Sequence, residues 1–247
     1  SSVLCYRLTP SQKSDIVKSV RKCNSLVAVI GDGANDVPMI QSANVGIGII
    51  GSEGMQASMA ADFVLSQFSF LSRLILIHGN RNYSRISYIL LYFFYKTTHI
   101  VVITFFIQFF SGWSGSYPID NTYSALYPII FTSVQPILFG IYEQYELEET
   151  LLNKPQLYER GRKGQLYNII LYLINILDAF WQGFIVYFSS HLLMVNSDWS
   201  ISHFGFILST SMFFCNIFHL MLETRCWNLP TIVIHIFFIF VHFGYFI

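Results

Sequence analysis

The sequence predicts an α/β segment built on a parallel sheet, followed by an all-α polytopic transmembrane bundle. Three observations predict it. Up to about residue 70, short β-branched runs alternate with amphipathic stretches, the pattern of strands joined by crossover helices. Beyond that come five long apolar runs, 88–110, 122–142, 168–190, 204–222 and 230–247. Each is near the roughly 20 residues that cross a bilayer core. Composition agrees, with 53% of the 247 residues hydrophobic and 11% charged, against about 25% charged in ordinary soluble domains. The expected division is a cytosolic α/β region at 1–72, a linker or stalk at 73–87 and a transmembrane domain at 88–247.

In chain order, Thr9-Pro10-Ser11-Gln12 reads as a helix start. Thr9 can cap, Pro10 suits the first helical position, and Gln12 can close a capping box. Ile16, Val17 and Val20 then form an apolar stripe that ends near Lys22. Leu26 to Ile30 reads as a buried parallel strand. Val37 to Ala43 reads as a helix, Val45 to Ile50 as a strand, and Gly51-Ser52-Glu53-Gly54 as a turn. A short helix near Met55 to Met59 and a strand near Phe63 to Leu65 follow. These elements make half of a domain, its C-terminal half.

Loop charges orient the apolar runs. Arg73, Arg81 and Arg85 precede the first; Lys154, Arg160, Arg162 and Lys163 follow the second; Arg225 follows the fourth. The connections 111–121 and 191–203 contain no Lys or Arg. Positive loops face the cytoplasm, so residues 1–87 are expected to be cytosolic. Trp113 and Trp199 sit in the outer connections, as interfacial anchors do. The balance of 14 basic and 14 acidic residues gives no basic stripe for nucleic acid. Cys5, Cys23, Cys215 and Cys226 form no CxxC pair and read as free thiols. The first thirty residues carry no apolar signal sequence. Both ends of the chain look cut.

The chemistry concentrates in Gly31-Asp32-Gly33-Ala34-Asn35-Asp36, directly after the first strand. A Gly-rich turn there puts carboxylates at the carboxyl edge of a parallel sheet, where α/β folds bind ligands. Asp32 and Asp36 suit Mg2+, which takes few carboxylates, several waters and phosphate oxygens. Asn35 can bond a phosphoryl group or orient Asp36. Lys13, at the start of the preceding helix, can neutralise phosphate beside the metal. The same residues also suit a polar turn that caps the next helix, beside a solvated lysine.

Thr9-Pro10-x-Gln12-Lys13 followed by Gly31-Asp32-Gly33-x-Asn35-Asp36 resembles the phosphorylation domain of P-type ATPases, which is haloacid-dehalogenase-like. The resemblance implies that Lys13 holds the phosphoryl group, that Asp32 and Asp36 bind Mg2+, and that Asn35 completes the site. It continues through Val45-Gly46-Ile47-Gly48-Ile49, Gly51-x-Glu53-Gly54-x-Gln56-Ala57, Ala61-Asp62, Gln67-Phe68 and His78-Gly79 in the order of the lipid-flippase (P4-type) branch. Tyr92-Phe93-Phe94-Tyr95-Lys96 resembles the fifth transmembrane helix of flippases. Phe131-Thr132-Ser133 with Pro136, and Pro155-Gln156-Leu157-Tyr158, resemble the sixth helix and the loop beyond it. The resemblance implies ATP as substrate, Mg2+ as cofactor and membrane phospholipid as cargo moved toward the cytosolic leaflet. It also implies a small two-span accessory subunit, and a plasma, Golgi or endosomal membrane location. The chain departs from the pattern at Gln135-Pro136, where Pro-Pro is common, and at Pro128, where Asn is frequent. A headgroup preference is therefore not carried over. Glu143-Gln144-Tyr145-Glu146 lacks the Asp-rich form usual at that position.

Polar groups at membrane depth default to function. Lys96 lies well inside the first run, and the resemblance ties it to headgroup transport. Its plain alternative is a snorkelling lysine. Pro136 is expected to interrupt the second run, with Thr132, Ser133 and Gln135 beside it. The plain alternative there is a kinked packing helix. No carboxylate lies between Thr122 and Tyr142, which favours a neutral or zwitterionic cargo over a cation. Asp178 is expected to pair with Gln182 or a neighbouring helix. His99, His219, His235 and His242 read as isolated core histidines. No Asp-Lys-Thr-Gly-Thr string occurs, so the phosphorylated aspartate and the nucleotide site are expected in a missing N-terminal part. The chain alone is then expected to be inactive. Two other readings stand beside the flippase: a non-catalytic truncated paralogue serving as a membrane scaffold, and a cation-transporting P-type ATPase.

Overall fold

The structure is a computed structural model that describes residues 3–51, 55–195 and 197–247. The expected turn over Gly51-Ser52-Glu53-Gly54 lies largely outside them. The chain divides into two compact units, Ser1–Ile77 and His78–Ile247.

In the first unit, α1 (Pro10–Lys22) begins with the expected capping box. The Gln12 amide donates to Thr9 Oγ1 at 3.4 Å, and the Thr9 amide donates to Gln12 Oε1 at 3.0 Å. Of the expected stripe only Val17 is buried, while Ile16 and Val20 remain exposed. Strand β1 (Ala28–Gly31) starts two residues later than expected and leaves Leu26 outside it, exposed. A 3-10 turn (Ala34–Asp36) leads into α2 (Val37–Ser42), followed by β2 (Val45–Ile49), α3 (Gln56–Ala60), β3 (Phe63–Leu65) and α4 (Phe70–Arg73). The sheet order is β1-β2-β3, all parallel, with Gly31 opposite Gly48 and Ile49 opposite Leu65. Val17, Val29, Ile40 and Ala57 form its small core. Gly48 is required by packing, because a Cβ there would stand 2.8 Å from the Ser58 backbone.

The second unit is helical. It holds α5 (Asn80–Phe110), α6 (Asn121–Leu126), a π-helical turn (Tyr127–Phe131), α7 (Val134–Tyr142), α8 (Glu148–Asn153), a 3-10 turn (Pro155–Tyr158), α9 (Glu159–Arg162), α10 (Ile169–Val195), α11 (Ile201–Glu223) and α12 (Leu229–Phe246). Among the described residues, five helical stretches are long and apolar enough to cross a membrane, and they match the five expected runs, with residue 168 before the third and residue 247 after the fifth falling just outside. Apolar side chains cover their outer surfaces, as Leu173, Leu177 and Trp181 on α10 and Val233, Phe237 and Phe240 on α12 show. Lipid tails solvate such faces, so association depends on close packing and polar ties. Both are present. Gly183 of α10 lets α5 approach, since a Cβ there would sit 3.0 Å from Val102. Asn175 of α10 donates to the Leu91 carbonyl of α5 at 2.6 Å. One buried cluster is built around Ile103, Tyr123, Tyr127, Phe131, Tyr187 and Phe213. A second joins Tyr92, Tyr95, Phe139, Ala179 and Leu220.

Candidate functional site

The expected phosphate-side residues gather at the carboxyl end of β1. Lys13 reaches across from α1, and its Nζ donates to Asp36 Oδ1 at 2.6 Å. Asp36 is buried, while Asp32 and Asn35 are exposed. Gly31 makes this arrangement possible, since a Cβ there would lie 2.4 Å from Asp36 Cβ and 3.0 Å from Oδ2. One Asp36 oxygen is thus committed to Lys13 and the other lies against Gly31. Asp32 is the carboxylate left open to solvent. Among the described residues no cluster of three His, Cys, Asp or Glu side chains gathers as a metal cage. A single open carboxylate, a second one tied to an ammonium, and an exposed amide form a donor set that fits Mg2+ only with waters and phosphate oxygens completing its shell.

The membrane-side residues gather at the break in the second span. The break lies at Thr132 and Ser133, between the π-helical turn and α7, with Pro136 in the first turn of α7. The physical reason is the missing proline N–H. Pro136 cannot bond back to the carbonyl four residues earlier, which belongs to Thr132. Side chains close the opening. Thr132 Oγ1 donates to the Tyr127 carbonyl at 2.9 Å, Ser133 Oγ to that of Ile129, and Gln135 Nε2 to that of Phe131 at 2.9 Å. Lys96 takes the carbonyl that Pro136 frees, its Nζ donating to Thr132 O at 3.3 Å and to Pro128 O at 3.5 Å. The ammonium also stands 5.0 Å from the centre of the Phe93 ring. Lys96 is 3% exposed, and none of the ion pairs among the described residues involves it. Its three donors therefore face two long carbonyl contacts and no carboxylate. Gln135 Oε1, in the first turn of α7, is buried with no partner.

A polar network that sequence reasoning missed continues from this point. Asn216 of α11 donates through Nδ2 to the Tyr127 hydroxyl at 2.5 Å and to the Met212 carbonyl at 3.0 Å, and lies 3.3 Å from His99 Nδ1. Tyr95 bonds Gln182, whose Nε2 donates to Asp178 Oδ2 at 2.8 Å. The expected Asp178 pairing with Gln182 is present, and His219 Nδ1 also lies 3.6 Å from Asp178. His219 and His99 both stack on Tyr95. Two of the histidines read as isolated are therefore neighbours in space. His242 is a bonded core residue, between the Tyr123 hydroxyl at 3.0 Å and Thr210 Oγ1 at 3.1 Å. The signal was present in the sequence, since Tyr92, Tyr95, Lys96 and His99 recur at helical spacing within one apolar run.

Glu143, just beyond α7, is 1% exposed. Its carboxylate accepts the backbone N–H of Arg225 at 3.2 Å and of Cys226 at 3.4 Å, and its carbonyl accepts from Arg85 Nε at 2.6 Å. It ties the end of the second span to α5 and to the α11–α12 connection. Nearby, burial raises the Tyr145 hydroxyl above its ordinary range, with the Glu143 carboxylate adding to the effect.

Residues 58–247 match the family model described as phospholipid-translocating P-type ATPase, C-terminal. The chain belongs to that family. The chain is similar to mouse phospholipid-transporting ATPase VD at 44% identity over 91% of its length and 16% of the relative. It resembles the Arabidopsis thaliana phospholipid-transporting ATPase 1 at 37% over 92% of the chain and 20% of the relative. To the Saccharomyces cerevisiae phospholipid-transporting ATPase DRS2 it is 41% identical over 78% of the chain and 14% of the relative. The chain thus spans about a sixth of the length of the first of these. With its five membrane-capable helices among the described residues, the chain is an integral membrane protein. P-type ATPases of this family generally use ATP and Mg2+.

Proposed function

We propose that this chain is the C-terminal part of an ATPase that moves phospholipid toward the cytosolic leaflet, driven by an aspartyl phosphate formed from Mg-ATP. The observation that carries this reading is Lys96, a buried ammonium without a counter-ion at a break in a carboxylate-free span. The Lys96 ammonium repels a cation there, and the span holds no carboxylate to offset that repulsion. A phosphate oxygen of a phospholipid headgroup supplies the acceptor that Lys96 lacks. Gln135 Oε1 offers an acceptor to a headgroup hydroxyl or amine. Thr132, Ser133 and Pro136 shape the opening.

Residues 1–72 are read as the C-terminal half of a haloacid-dehalogenase-like phosphorylation domain, on the cytosolic side with the 73–87 stalk. The phosphorylated aspartate and the nucleotide domain belong to an N-terminal part outside this sequence, so the chain alone is inactive. Asp32, with Asp36 beside it, would hold Mg2+, which supplies Lewis-acid charge against the phosphoryl oxygens. Asp36 holds the Lys13 ammonium toward the same place, and Asn35 presents an amide at the edge of the turn. A small two-span subunit is the expected partner, and a plasma, Golgi or endosomal membrane the expected location. The test is Lys96→Met in the full-length ATPase. Phosphoenzyme formation from ATP should persist while stimulation of turnover by phospholipid is lost. Unchanged lipid stimulation would refute the reading.

A further inference from the structure

We infer that Asn216 is a positioning residue of the transport site, holding the broken second span in the shape that presents the Thr132 and Pro128 carbonyls to Lys96. The inference rests on the reading of Lys96 given above.

Asn216 is 0% exposed and sits at the depth of the bundle, where a primary amide is costly unless its bonds are used. A leucine has the same branching and number of side-chain heavy atoms and carries no such cost. The amide nitrogen spends its bonds at one junction, while Oδ1 is buried with no partner. Its Nδ2 has two hydrogens and three acceptors in reach: the Tyr127 hydroxyl at 2.5 Å, the Met212 carbonyl at 3.0 Å and His99 Nδ1 at 3.3 Å. Tyr127 opens the π-helical turn, one residue before Pro128. His99 lies on α5, one turn beyond Lys96. Asn216 therefore links α11 both to the helix that carries Lys96 and to the segment that carries its acceptors.

The route to Lys96 is short and continuous. The Tyr127 side chain meets Asn216, and the Tyr127 carbonyl accepts Thr132 Oγ1 at 2.9 Å. The Thr132 carbonyl then accepts Lys96. At 3.3 Å that last bond is already at the long limit for a hydrogen bond. A shift of a few tenths of an ångström in the turn breaks it. The Tyr92 hydroxyl adds a second tie, donating to the Asn216 carbonyl at 3.2 Å. Tyr127, His99, Thr132 and Lys96 are all buried as well, so no bulk water replaces a lost partner.

The experiment uses the full-length ATPase in detergent micelles, with phosphatidylcholine, phosphatidylethanolamine or phosphatidylserine added singly. Whichever stimulates the unmodified enzyme most is the probe. Asn216→Leu should leave ATP-driven phosphoenzyme formation unchanged and raise the lipid concentration for half-maximal stimulation about fivefold to tenfold, the weight of one hydrogen bond. Tyr127→Phe, which deletes one oxygen and keeps the ring, should do the same, and it decides the question if Asn216→Leu fails to fold. The double variant should be no weaker than either single one, because both break the same link. Full additivity, or unchanged lipid dependence in both singles, overturns the positioning role. So does a fall in phosphoenzyme parallel to the loss of stimulation, which marks Asn216 as a packing residue. Undiminished stimulation in Lys96→Met overturns the transport reading and this role with it. Lost stimulation there, beside normal lipid dependence in Asn216→Leu and Tyr127→Phe, overturns the positioning role alone.

Discussion

Replacing Lys96 by Met separates what the lysine does for transport from what it does for the fold. The two side chains have similar length, so the stem's volume is kept. The variant loses donations to Thr132 O at 3.3 Å and Pro128 O at 3.5 Å, and a cation 5.0 Å from the Phe93 ring. Hydrogen bonds to charged groups contribute about 1.5–3 kcal/mol when well formed. Both distances lie beyond the usual range, so the pair is worth about 2 kcal/mol in all, and the ring about 0.5–1 kcal/mol more. Against this stands the cost of a lysine at membrane depth, roughly 2.5–3.5 kcal/mol. No carboxylate offsets that cost, since no ion pair among the described residues includes Lys96. The two sides cancel to within about 1 kcal/mol. Lys96→Met is therefore expected to melt within a few degrees of the unmodified enzyme in lipid nanodiscs, while lipid-stimulated ATP hydrolysis falls more than tenfold. Thermal melting and ATPase rate are measured on the same preparation. A stability loss above about 3 kcal/mol, the size seen when a true buried ion pair is broken, would show that Lys96 is a structural tie and refute the reasoning.

Other expectations follow from the same geometry. Asp32→Asn should abolish phosphoenzyme formation in the full-length ATPase at normal protein levels, because Asp32 is the open carboxylate of the turn; undiminished labelling by radioactive ATP would remove it from the site. Gly31→Ala places a Cβ 2.4 Å from Asp36 Cβ and should destabilise the first unit by about 1–3 kcal/mol, the range for overpacking, while displacing Asp36 from Lys13. Limited proteolysis and phosphorylation report the two effects, and an unperturbed Gly31→Ala would mean that the turn has slack. Asp120 caps α6, and its carboxyl is held below its ordinary range first by the Tyr245 hydroxyl and then by the Tyr123 amide. A lowered carboxylate contributes stability above its unfolded value and loses it as pH falls through the folded one. Melting between pH 6 and 3 should therefore show an acid-dependent loss that Asp120→Asn removes.

The sequence by itself determined the broad plan. Periodicity placed α1, the three parallel strands and five membrane-capable helices, because those signals are local: a capping box at Thr9, β-branched runs, and apolar stretches of bilayer length. The family was legible for the same reason, in contiguous strings such as Gly31-Asp32-Gly33 and Tyr92-Phe93-Phe94-Tyr95-Lys96. Tertiary structure decided what those residues touch. Lys13 and Asp36 are 23 positions apart, and only the parallel fold brings them to 2.6 Å. That pairing leaves Asp32 as the carboxylate open to solvent. Pro136 was visible as a helix breaker, but the break lies at Thr132 and Ser133, since a proline disrupts the bond to the carbonyl one turn before it. That Lys96 meets this carbonyl, and that Asn216 reaches both Tyr127 and His99, depends on how α5, the broken span and α11 cross. Lipid offers no hydrogen bonds to compete, so the partner of a buried polar group in the bundle is set by what helix packing brings within reach, and Gln135 Oε1 is left with none.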